Sequence, residues 1–85
     1  MTDEGPREVP REMARRVLQA AAVEAFGRPG AYVTREPVMR RAAMVDLDMF
    51  IAIAGYLERE GWIAEADPDY GGFVLTSEGL DEATR

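Results

Sequence analysis

Between Arg11 and Phe26, apolar residues return every three or four positions: Ala14, Val17, Leu18, Ala21, Ala25 and Phe26. Arg11, Glu12, Arg15, Arg16, Gln19 and Glu24 fall mainly between them. This period predicts an amphipathic helix, and Gly27, with Pro29 and Gly30 behind it, is a suitable stop. Residues 1 to about 10 hold Gly5, Pro6 and Pro10 among charges and show no period, so a frayed arm with little share in the core is expected ahead of a domain over 11–85.

After the stop, Ala31, Tyr32 and Val33 read as a very short strand, and Thr34 is placed to cap a second helix over about 35–43. Pro37 is tolerated there because the first turn of a helix has no intrahelical donor to lose. Met44 and Val45 make a turn, and Asp46 is a good N-cap for a third helix to about Glu60, with Phe50, Ile53, Ala54 and Leu57 as its inward stripe and Gly61 as its end. Segments 62–66 and 73–76 are strand-like runs on either side of the turn-rich Asp67-Pro68-Asp69-Tyr70-Gly71-Gly72, which predicts a hairpin. Thr76 or Ser77 can cap a last helical segment over about 78–83, with Leu80 packing back on the domain. The fold class expected is α+β, mostly α: a three-helix core with a helix-turn-helix, a short strand and a C-terminal hairpin.

Composition narrows the chemistry. Of 85 residues, 47% are hydrophobic and 31% charged, which suits one small soluble domain with its own core. The absence of Cys and His removes disulfides, thiolate or imidazole metal sites and imidazole base catalysis together. Ser77 has no histidine to activate it, Gly71-Gly72 is a turn and no phosphate-cradling loop, and Asp67-Pro68-Asp69-Tyr70-Gly71 lacks the closing Glu of a calcium loop. No enzyme, cofactor or metal site is expected, and no small-molecule ligand is indicated. No apolar run approaches 18 residues and the first ten are acidic and polar, so a cytoplasmic protein without membrane attachment is the expectation. The net charge of −6 is uneven: residues 1–45 hold eight Arg against six acids, and residues 46–85 two Arg against ten. Every basic residue is Arg.

The runs Met44-Val45-Asp46, Leu57-Glu58-Arg59-Glu60-Gly61-Trp62-Ile63 and Phe73-Val74-Leu75-Thr76-Ser77-Glu78-Gly79 together resemble the winged helix-turn-helix family of bacterial transcriptional regulators, over about Val9 to Ala83. In that family a capping residue opens the recognition helix, a Leu-x-x-x-Gly-apolar-apolar run closes it into the wing, and a Leu-Thr-x-x-Gly run follows the second wing strand; here Asp46 stands in the capping place. Gly61, Leu57, Ile63 and Thr76 are also what the architecture alone requires, so the likeness speaks to fold before activity. In many of these regulators a further long helix beyond the wing makes the dimer; with little room for one before Arg85, a dimer here is expected to use the first helix, the outer third helix or the wing.

The resemblance places the family's base-facing positions on Leu47, Asp48, Met49, Ile51 and Ala52. Major-groove readout relies on Arg or Lys at guanine and Asn or Gln at adenine, and none is present. Asp46 and Asp48 put carboxylates where a phosphate would otherwise meet the helix start, and the hairpin carries Glu65, Asp67 and Asp69 with no Arg between Trp62 and Gly72. Protein is therefore the expected partner and nucleic acid a disfavoured one, with the chain self-associating or docking a larger protein through the third helix and wing, at Leu47, Met49, Ile51, Gly55 and Tyr56. For Leu47, Ile51 and Gly55 core and interface stand as equal alternatives, whereas Met44 and Phe50 read as core. A mid-helix Gly55 suggests close approach of another chain segment. The alternative function is a DNA-binding regulator that touches phosphates through Arg11, Arg15, Arg16, Arg40 and Arg41. The plainer reading of those arginines is a solvated face paired with Glu8, Glu12 and Glu36.

Overall fold

The computed structural model describes residues 9–85, so most of the arm expected over 1–10 lies outside the described residues. Val9, placed in that arm from sequence, packs half-buried against the core, and the carbonyl of Pro10 accepts the first helical bond from Ala14 N at 3.0 Å. The order is α1 (Arg11–Glu24), β1 (Tyr32–Thr34), α2 (Arg35–Arg41), α3 (Leu47–Arg59), β2 (Ile63–Ala64), β3 (Gly72–Leu75) and α4 (Ser77–Ala83). None of these helices is long and apolar enough to cross a membrane.

β3 lies in the middle of a three-stranded antiparallel sheet with the order β1-β3-β2. Val33 stands opposite Phe73, and Ile63 opposite Leu75; all four side chains are buried. The sheet is small because β2 has two residues where a run over 62–66 was expected. Glu65 leaves the strand with φ at +51°, which breaks the pleat that a longer strand needs. α1 packs against α2, α3 and α4, presenting Ala14, Val17, Leu18 and Ala21, and the inward stripe of α3 meets the sheet where the rings of Phe50 and Phe73 lie 6.5 Å apart. Met44 and Phe50 are core, as read.

Capping is local and mostly follows the sequence. The Asp46 carboxylate accepts from Met49 N at 3.1 Å, and the Thr76 hydroxyl accepts from Gly79 N at 2.9 Å. Thr34 has the extended backbone of a cap but its side chain makes no capping bond. The first N–H of α2 goes to the hairpin instead, Arg35 N donating to the carbonyl of Gly71 at 2.9 Å. The ends of α1, α2 and α3 share one hydrogen-bond pattern. Gly27, Met44 and Trp62 donate back to Ala22, Met39 and Leu57, and the residue before each donor, Phe26, Ala43 or Gly61, takes positive φ. That is the paired-bond stop in which a left-handed residue closes a helix.

Candidate functional site

At about 100° per residue, α3 separates the five residues that sequence reasoning grouped as one interface. The inward direction is set by Phe50, Ile53, Ala54 and Leu57. Leu47 and Ile51 then lie on one flank with Glu58, Asp48, Ala52, Gly55 and Arg59 face outward, and Met49 and Tyr56 fall on the opposite flank. The burial agrees. Leu47 is 43% exposed, whereas Met49 and Tyr56 pack against the core. Tyr56 also meets Trp62 edge-on at 6.0 Å between ring centres. Met49 and Tyr56 are thus half-buried on the flank away from Leu47 and Ile51, so the five residues do not share one face. Gly55 is half-buried on the outward side. A Cβ there would stand 3.6 Å from the Arg59 guanidinium and 3.7 Å from the Tyr70 hydroxyl, which is ordinary contact, so no segment of this chain requires a glycine at that position.

Beside the Leu47 flank lies an open groove of about 660 Å³ between α2, the α2–α3 turn and the hairpin. Its apolar lining is Met39, Met44, Val45 and Leu47, and its charged lining is Arg35, Glu36 and Arg40, all on α2. The stop of α2 explains the lining. With Ala43 in the left-handed region, Met44 turns into the core and Val45 is left 96% exposed one residue before the cap of α3. Arg35 and Val45 were not singled out from sequence. The available signal was a β-branched residue stranded in a turn between a helix stop and an N-cap.

The arginines proposed as a phosphate-contacting set fall into two groups. Arg11 and Arg15 border a cleft of about 200 Å³ walled by Tyr56 and Trp62. There Arg15 donates to the main-chain carbonyl of Arg85 and lies 3.9 Å from Glu82. Arg16 donates to the carbonyl of Ala42 at 2.7 Å, closing the end of α2, and Arg41 pairs with Glu24 at 2.9 Å. Arg40 alone of the five lines the groove. Arg41 shares one concavity with Arg16 and another, beside Glu24 and Pro37, with Arg40, so these three are neighbours while Arg11 and Arg15 lie apart. The partners of the set are not those read from sequence: Glu82, Glu24 and main-chain carbonyls take the place of Glu12 and Glu36, and Glu8 lies outside the described residues.

The hairpin is tied down at three points. Tyr70 donates to the Glu58 carboxylate at 2.6 Å, Tyr32 to the Asp67 carboxylate at 2.7 Å, and the Arg35 guanidinium to the carbonyl of Asp69 at 2.9 Å. The hydrogen bond to Glu58, then burial and the carboxylate's charge, raise the Tyr70 phenol above its ordinary value against a small opposing effect of Arg59. The hydrogen bond to Asp67 does the same for Tyr32. The tip is therefore less anionic than its own sequence suggests, because Arg35 from α2 is laid against it.

Comparison with protein-family models, with curated proteins and with solved structures finds no match for this chain.

Proposed function

We propose that the chain is a small winged-helix module that works through protein–protein contact, with weak or no DNA binding. The winged-helix reading is supported by a helix–turn–helix from α2 to α3 followed by a hairpin whose second strand pairs with β1. One observation carries the functional reading. The outward side of α3 offers Asp48, Ala52 and Gly55 over its first three turns, with Ile51 on the flank beside a groove edged by exposed Val45 and Leu47. That face has no long donor for a base edge before Arg59, which sits in the last turn. Non-specific DNA affinity comes chiefly from neutralised phosphates, and of the arginines that could supply it Arg15 and Arg41 are engaged with carboxylates, while Arg11 and Arg15 lie apart from Arg16, Arg40 and Arg41. An apolar, exposed rim is what protein partners cover.

The test is a fluorescence-anisotropy titration of a mixed-sequence duplex at low salt. The reading expects no binding tighter than about 10⁻⁶ M, the strong end of ordinary non-specific affinity. Sub-micromolar binding with a steep salt slope would replace it with the regulator that contacts phosphates through Arg11, Arg15, Arg16, Arg40 and Arg41.

A further inference from the structure

We propose that the groove and its rim form one self-complementary patch through which two copies of the chain associate about a two-fold axis, the Val45–Asp48 segment of each copy seated in the groove of the other. The inference rests on the protein-contact reading above and names the partner.

Charge favours a second copy as the occupant. On a chain of net charge −6, the groove is lined by two arginines and one glutamate. Among the described residues neither Arg35 nor Arg40 forms an ion pair. The guanidinium of Arg35 is bonded to a carbonyl, which leaves its charge unbalanced. Immediately beside this basic half runs Val45-Asp46-Leu47-Asp48, in which aliphatic and acidic residues alternate and all four are exposed. Asp46 uses one oxygen on Met49 N and keeps the other, and Asp48 forms no ion pair among the described residues.

Two-fold association places a surface on its own copy, so every contact occurs twice and the patch must contain its own complement. A patch of a single sign would be repelled by its twin. Here a basic half and an acidic half meet along an apolar strip, and a two-fold axis through that strip lays each acidic half on the other copy's basic half. The same rotation covers Val45, which is 96% exposed in the single chain, and brings Val45 and Leu47 against Met39 and Met44 of the other copy. Methionines suit such a lining because their unbranched side chains adapt to the shape that enters. A foreign segment would need only one half to match it; both halves side by side fit a second copy of this chain.

Sedimentation equilibrium at low salt tests the proposal on the full chain, on Arg40→Glu, on Asp48→Arg and on an equimolar mixture of the two variants. Both positions are exposed, and thermal melts by circular dichroism check that each variant folds. The parent is expected to dimerise, and each substitution to raise the dimer Kd on the order of 100-fold by setting like charges opposite each other at two symmetric places. The mixture is expected to recover dimer, because each variant carries the charge that the other needs. A parent that stays monomeric, a dimer that neither substitution weakens, or a mixture that fails to recover would each overturn the two-fold arrangement. Labelled duplex in the same cells separates the two claims: chain that sediments with duplex at sub-micromolar concentration defeats the protein-contact reading itself, whereas a monomer that ignores duplex defeats only the self-association.

Discussion

Gly79 is buried where α4 starts, and a Cβ on it would overlap the Trp62 carbonyl oxygen and stand 3.0 Å from the Leu75 side chain. Thr76 holds the same junction from the other side, donating from its hydroxyl to the carbonyl of Gly61 at 2.7 Å and from its N–H to that of Trp62 at 3.1 Å. The two sequence runs that carry the family resemblance are therefore bonded to each other, which is the physical reason they occur together. Gly79→Ala is expected to cost roughly 2–4 kcal/mol, measured by urea unfolding followed through Trp62, the single tryptophan. The partners of Tyr32 and Tyr70 were not legible, because they are 35 and 12 residues away in sequence and depend on how the hairpin is laid down. Both phenols are raised in the folded chain, so the stability they contribute is complete below the ordinary tyrosine value of about 10 and is lost as pH rises through the raised values. Tyrosinate absorbance should rise later in the folded chain than in urea, and Tyr70→Phe should remove part of that delay.

Helices were read well because their evidence is local. The three-and-four spacing, Asp46 and Thr76 as caps and Gly61 as a stop all act within one turn of where they stand. How the stops are made was less visible. α3 places Gly61 in the left-handed position, but α1 and α2 place Phe26 and Ala43 there, and Gly27, read as the stop of α1, comes one residue later. A side chain in that conformation costs about 1–2 kcal/mol, and Phe26 is 84% exposed, so core packing does not offset it. Gly61→Ala should lower stability by about 1 kcal/mol, and Ala43→Gly should raise it by less, because the glycine's greater freedom in the unfolded chain offsets part of the relief. Denaturant midpoints of the two variants check both signs. The first and last strands were placed within one residue and at their true length, whereas the middle run over 62–66 shrank to two residues because its extent is decided by the opposite strand. How α3 divides its outer residues was half legible: the helical period puts Leu47 and Ile51 on one flank, but that Tyr56 would be half-buried on the other depended on where Trp62 would stand.

Across the whole molecule, the contrast between a basic first half and an acidic second half does not survive as two lobes. Folding lays Arg15 against Glu82 and Arg35 against the hairpin, so cations from residues 1–45 are used on acidic elements from residues 46–85. What remains unbalanced is local: a groove with two arginines that have no ion pair among the described residues, next to an exposed acidic and aliphatic rim. That arrangement is what the proposed protein contact of α3 rests on. The most direct measurement is a map of backbone amide shifts at low salt, taken over a dilution series and again with equimolar duplex. The account expects Arg40, Val45, Leu47 and Ile51 to shift with protein concentration and to be indifferent to duplex. Shifts spread along Leu47–Ala52 and the hairpin only when duplex is added would contradict it.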